Sequence, residues 1–265
     1  MGLNMKALLR ECLVAIRSFA FMSFLFLTAA GGAILVLLVS WGPQRWHWVV
    51  TVGWCRLSVW AGEFFCGLKV VVEGRDNIPD EPCVIMIKHT SALETYWHVT
   101  EFPQTTWVVK RELLWLPFFG WALALVLHPI SIHRGRGRQA VKHVINKGKQ
   151  RLAEGIWVTV FPEGTRVPPD ATRRYGISGS ALAEAAGCKI VPVAHNAGDY
   201  WPRRSFRKHP GTVRFVIGPP IDASTQDARE TSLIVQDWIE SRMDEISEAY
   251  KARRRREREA GELTR

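Results

Sequence analysis

The sequence has few cysteines and no pattern in which to use them. Cys12, Cys55, Cys66, Cys83 and Cys188 are odd in number and widely spread, and no C-x-x-C pair occurs. That argues against a disulfide framework and a cysteine zinc site, and suits reduced thiols in a cytoplasmic setting. A nucleophile elbow is also missing. Gly176-Ile177-Ser178-Gly179-Ser180 has the wrong order for G-x-S-x-G, which removes the serine-hydrolase route through an acyl-enzyme. Charge is absent from residues 18–44 altogether, and no internal repeat or low-complexity linker interrupts the remainder.

What is present is a chain of 265 residues, long enough for one substantial core. Apolar residues make up 47%, which excludes disorder. The 12 tryptophans suit surfaces that are wet on one side and apolar on the other. A net charge of +10 implies an anionic partner: nucleic acid, a phosphate-bearing substrate or an anionic lipid surface. No aromatic-basic recognition module supports nucleic acid. Part of the excess, Arg253 to Arg256, reads as a solvated basic helix end near the C-terminus.

The uncharged stretch is long and apolar enough over residues 19–39 to cross a bilayer. Gly42-Pro43 then breaks the chain, and residues 46–66 are again aromatic and apolar but carry Arg56 and Glu63. This pair reads as one span plus an interfacial helix, as a hairpin dipping into one leaflet, or as two core helices of a soluble domain. The shallow hairpin is the preferred reading. Lys6, Arg10 and Arg17 before the first segment balance Arg45 and Arg56 after it, so charge scarcely favours either orientation. The expected organisation is a membrane-associated helical hairpin over residues 1–67 and a catalytic domain over 68–265.

Beyond Gly67 short apolar runs alternate with helical stretches. Strands are predicted over residues 69–72, 83–87, 106–109, 129–132, 157–161, 190–193 and 213–217. Helices are predicted over 92–100, 115–125, 138–153 and 179–186, with Gly155 and Gly187 placed as stops. The fold class is therefore α/β, a mainly parallel or mixed sheet flanked by helices, with ligands collecting at the carboxyl ends of the strands.

One of those ends carries His89, which follows an apolar run and precedes Thr90-Ser91-Ala92-Leu93-Glu94. On a continuous helix His89 and Glu94 would stand roughly 140° apart. They meet only if His89 lies in the turn ahead of the helix and Glu94 points back from its first turn. In that arrangement Glu94 would hold the imidazole tautomer and raise its basicity toward a hydroxyl. The same residues also spell a capping box, in which Glu94 only satisfies a backbone donor. Both roles stay open on spacing alone.

A second strand runs into Phe161-Pro162-Glu163-Gly164-Thr165-Arg166. Taken with the His89 block, and with Pro129-Ile130-Ser131-Ile132-His133-Arg134 and Ile190-Val191-Pro192-Val193 in order, the chain resembles the lysophosphatidate acyltransferase family over residues 70–221. That family carries His-x4-Asp followed by F-P-E-G-T-R. Here the acid is Glu94, one methylene longer.

The resemblance implies transfer of a fatty acyl group from acyl-CoA or acyl-carrier protein to the sn-2 hydroxyl of lysophosphatidate, with no metal or bound cofactor. It makes His89 the base, Glu94 its orienter, and Glu163, Gly164, Thr165 and Arg166 the holders of the acceptor's glycerol phosphate, aided by Lys110 and Arg134. Guanidinium groups suit a phosphate because they bind it bidentately. It also implies association with membrane lipid at the cytoplasmic face of the cell membrane. The same chemistry on another lysophospholipid or a lyso-ornithine lipid is an alternative, as is a peripheral protein that only binds anionic lipid. His98 could pair with Glu94 toward a metal, but no third ligand is spaced to help. His128, His133 and His195 read as satisfied surface groups; the lesser alternatives are that Lys110 or Arg111 is a solvated strand end and that Arg134 neutralises a sheet-end acid.

Overall fold

The computed structural model describes residues 5–116, 119–132 and 137–263. The chain opens with α1 (Met5–Leu38), continuous through Lys6, Arg10 and Arg17 and so longer at its start than the predicted apolar core. A short turn leads to α2 (Gln44–Cys66), which ends on Gly67 in the left-handed region, φ 69°. The two helices pack against each other, with the Trp54 indole donating to Thr28 Oγ1 at 3.2 Å and Phe24 against Phe65.

All seven predicted strands form: β1 (Leu68–Glu73), β2 (Val84–Ile87), β3 (Thr105–Lys110), β4 (Ile130–Ile132), β5 (Trp157–Val160), β6 (Lys189–His195) and β7 (Gly211–Ile217). A two-residue β8 (Ile221–Asp222) pairs with β6. The order is β1-β7-β6-β2-β5-β3-β4, parallel except where β6 meets β7 and β8. β2 lies between β5 and β6 and is buried on both faces, which is why its sequence Val84-Ile85-Met86-Ile87 is apolar without alternation.

Alternate residues of β2 feed different cores. Ile85 and Ile87 join Trp97, Val193, Phe215, and Phe21 and Ala61 from the first two helices. Val84 and Met86 join Val144, Leu182, Val235 and Ile239 on the opposite face. The first two helices thus share a core with the sheet on one side. The other side is covered by α5 (Gly137–Ala153), α6 (Ser178–Ala186) and α8 (Ala228–Ile246).

α3 (Leu93–Glu101) follows β2 as predicted. The helix predicted over 115–125 is α4 (Phe119–Leu127), preceded by a 3-10 turn at Arg111–Trp115. α7 (Ala197–Tyr200), α8 and the basic α9 (Glu248–Leu263) complete the chain. The sequence reading did not anticipate α8, although its signals are present. Asp227 caps it by accepting from the Arg229 and Glu230 N–H groups, and Thr231, Val235, Ile239, Met243 and Ile246 form its buried stripe.

Trp97 is fully buried with its ring stacked on Phe215, centroids 3.8 Å apart. Trp97→Ala is expected to cost roughly 3–5 kcal/mol by leaving a cavity. In a thermal melt in detergent that would lower the midpoint by roughly 6–20 °C; an unchanged midpoint would show that this stack does not support the fold.

Candidate active site

Strand register assembles the site. Met86 of β2 pairs with Val160 of β5 and Pro192 of β6. Three residues further along each strand stand His89, Glu163 and His195, at the carboxyl ends where ligands of parallel sheets collect. Main-chain bonds hold the loops there: the Val167 N–H donates to the His89 carbonyl at 2.8 Å, and the Lys88 N–H to the Val193 carbonyl at 3.1 Å.

His89 lies in the turn ahead of α3, and Glu94 points back from its first turn. Glu94 Oε1 accepts from His89 Nδ1 at 2.9 Å and from the Ser91 N–H at 3.0 Å. Ser91 Oγ accepts in turn from the Leu93 N–H at 3.2 Å. One oxygen therefore accepts from both of the donors that spacing left open, the imidazole and the cap N–H. With Nδ1–H donating to Glu94, His89 Nε2 is left as the acceptor, on a ring that lines a cavity of about 780 Å³. Phe161 stacks on the His89 imidazole, centroids 4.1 Å apart, and lines the same cavity.

Burial raises the Glu94 carboxyl, but the opposing pull of His195, His89 and Arg166 leaves it below its ordinary value, so it stays ionised with no exposed surface. His98 is the reverse case: burial lowers its imidazole to about 4 and keeps it neutral, with Nδ1–H donating to the Glu94 carbonyl at 2.9 Å. No group of three metal-ligating side chains forms among the described residues.

Glu163, which the resemblance assigns to the acceptor, has a fully buried side chain. Its Oε1 lies 3.3 Å from Lys88 Nζ and accepts from the His89 N–H at 3.4 Å. Lys88 is also buried and reaches Glu240 Oε1 of α8 at 2.7 Å, where Tyr175 and Tyr250 donate to the same carboxylate. This network went unseen in the sequence because Lys88 belongs to an apolar run and Glu240 lies far along the chain. Gly164, with φ 67°, turns the loop back through its N–H to the Phe161 carbonyl at 2.9 Å. Thr165 and Arg166 line the cavity, as does the exposed Lys110 at the end of β3. Arg134 and His133 lie outside the described residues.

The cavity has two characters. One arm is apolar, running between α1, α2, α4 and β3 past Ala33, Val36, Trp54, Leu123 and Val126. The lining also holds a group of cations. Besides Lys110 and Arg166 it gathers Arg173, Arg174, Arg203 and Arg204, none of which was singled out from the sequence. Arg203 donates to the Arg166 carbonyl and ties two of these loops together. Among the described residues, Arg173, Arg174 and Arg204 form no ion pair with an acidic side chain. His195 also needs correction: it is wholly buried at the end of β6 rather than a surface group. His128 is exposed.

A protein-family model described as Acyltransferase matches residues 69–196. A Pseudomonas aeruginosa protein named 1-acyl-sn-glycerol-3-phosphate acyltransferase is 43% identical over 206 residues, covering 77% of this chain and 79% of that protein. A chloroplastic relative of the same activity name from Arabidopsis thaliana is 27% identical over 210 residues, 77% of this chain and 57% of its own length. In fold, the chain resembles the crystal structure of the 1-acyl-sn-glycerophosphate acyltransferase PlsC from Thermotoga maritima. The TM-score is 0.72 at 20% identity, over 89% of this chain and 96% of that one.

Because Gln retains an acceptor for the Ser91 N–H but carries no charge, Glu94→Gln separates the two duties of Oε1. The variant is expected to melt within a few degrees of the wild type yet lose roughly 10²- to 10⁴-fold in turnover. Wild-type turnover would reduce Glu94 to a cap.

Proposed function

We propose a reaction from an established premise: this chain belongs to the 1-acyl-sn-glycerol-3-phosphate acyltransferase family and is an acyltransferase. The substrate is lysophosphatidate, the donor an acyl thioester of CoA or acyl-carrier protein, and the base His89. The observation that carries this reading is the bond from His89 Nδ1 to the buried carboxylate of Glu94, which aims basicity at Nε2 beside a cavity lined by both apolar side chains and cations.

In the proposed step Nε2 takes the proton of the sn-2 hydroxyl as its oxygen attacks the thioester carbonyl. The new C–O bond forms, the C–S bond breaks, and the departing thiolate recovers the proton from His89. Glu94 stabilises the imidazolium in between. Phosphatidate and a free thiol leave, with no acyl-enzyme and no metal or bound cofactor. The acyl chain lies in the apolar arm. The acceptor's phosphate lies against Lys110, Thr165 and Arg166, with the turn at Gly164 admitting it closely; a role for Arg134 rests on the sequence motif alone. Glu163 contributes through the His89 N–H, which it accepts. Two phosphate-bearing substrates must be present together in direct transfer, and Arg173 and Arg174 supply the second set of cations, for the phosphate end of the donor.

Membrane lipid is the setting. α1 is 34 residues long with mean hydropathy 2.3 in its most apolar window, enough to cross a membrane by length and composition. It exposes Phe19, Phe26 and Leu27, while the turn after it exposes Trp41 and α2 exposes Trp60 and Phe64, much apolar side chain for a protein in water. The enzyme works at the cytoplasmic face of the cell membrane, with the helical pair set in the bilayer.

His89→Ala is expected to reduce transfer by at least about 10³-fold while leaving sedimentation with membranes unchanged; turnover retained in that variant would remove the base. For the donor, Arg173→Gln with Arg174→Gln should raise the KM for acyl-CoA roughly tenfold, equivalent to about 1.4 kcal/mol. The KM for acyl-pantetheine, which has no phosphate, should not move. A rise in the KM for lysophosphatidate instead would place these arginines on the acceptor.

A further inference from the structure

Glu94 uses only one of its oxygens on the dyad and the cap. Oε1 takes both donors, whereas Oε2 is buried and has no hydrogen-bond partner. An unpaired oxygen on a buried carboxylate is costly and calls for a reason. On that side stands His195, its Nε2 3.9 Å from Oε2. His195 is itself held at both nitrogens. The Ala197 N–H donates to Nδ1 at 3.2 Å, which places the proton on Nε2, and Nε2–H donates to the Lys88 carbonyl at 2.6 Å. Burial lowers the His195 imidazole, so the ring is neutral and presents a fixed N–H dipole at the edge of the carboxylate. The charged and titratable groups that act on Glu94 are thus His89 at Oε1, His195 at Oε2, and Arg166, with the neutral His98 on its main-chain carbonyl.

The longer acid makes this arrangement matter. A glutamate has one more rotatable bond than the aspartate of the His-x4-Asp pattern, so its carboxylate needs a second boundary to stay on His89. We propose that His195 is a positioning residue for acyl transfer, its Nε2–H acting on Glu94 Oε2 so that Oε1 remains on His89 while that ring gains and loses its proton. Small movement suffices, because the N–H already at the Lys88 carbonyl can be shared with Oε2 as negative charge is drawn toward the imidazolium. The inference rests on His89 being the base.

The test uses two amides of different reach in the full-length enzyme. His195→Gln can place an N–H near the position of Nε2. His195→Asn keeps an acceptor for the Ala197 N–H but is too short to replace Nε2–H. We expect His195→Asn to lower kcat roughly 10- to 100-fold, with both KM values within about twofold of wild type and the acid limb of the kcat profile displaced to lower pH. His195→Gln should recover most of the loss. In a Glu94→Gln background His195→Asn should cost less than about threefold, because residues acting through one another are not additive. An equal cost in both backgrounds, or a loss that follows the melting temperature with an unmoved acid limb, would make His195 a packing residue and overturn the proposal. Activity surviving in His89→Ala would instead remove the premise, so the two failures are distinguishable.

Discussion

The pairing register of β2 with its two parallel neighbours is the constraint on which the site depends. Parallel strands of one sheet end together, so residues at equal distance past the register pairs arrive at the same edge. His89, Glu163 and His195 are far apart along the chain, yet each lies three residues beyond a mutually paired set, Met86, Val160 and Pro192. A slip of one residue in either pairing would exchange the two faces of the strand and turn its apolar residues into the wrong core. The two hydrophobic cores therefore enforce the register, and the register enforces the site.

Burial of charge is the second constraint. Lys88 and Glu94 flank His89 in sequence, and both have fully buried side chains. Each is tolerable only because it is paired: Lys88 with Glu163 and Glu240, Glu94 with His89 and the cap donor of α3. These pairs connect the end of β2 to the loop after β5, to α8 and to α3, so His89 is anchored by several elements at once. The extra methylene of Glu94 does not prevent the dyad bond, because the turn at Thr90 and Ser91 sets His89 ahead of the helix.

The third element is the join between the apolar helices and the sheet. Phe21 meets Trp201 edge-on at 5.3 Å, Trp54 meets Tyr96 in the same manner, and Ser18 Oγ accepts from the Lys208 N–H at 2.9 Å. These contacts hold α1 and α2 in place as part of the lining of the cavity that His89 also lines. Apolar side chains and cations therefore line the same cavity as His89.

Much of this was readable in the sequence. The seven strands followed from apolar runs bounded by turns, and the His89 and Phe161 blocks announced a histidine and a polar loop at strand ends. Whether Glu94 capped or catalysed was not decidable from five residues of spacing, and the folded chain shows one oxygen accepting from both donors. His195 looked like an ordinary strand-end histidine, and only burial between the Lys88 carbonyl and Glu94 distinguishes it. Lys88 and Glu240, and the arginines of two separate loops, likewise meet only in three dimensions. Local pattern determines which segments become strands and helices, because propensity, capping and periodicity act over a few residues. Which side chains face one another across the sheet is decided by strand order and register, which are set by long-range packing and have no local signature.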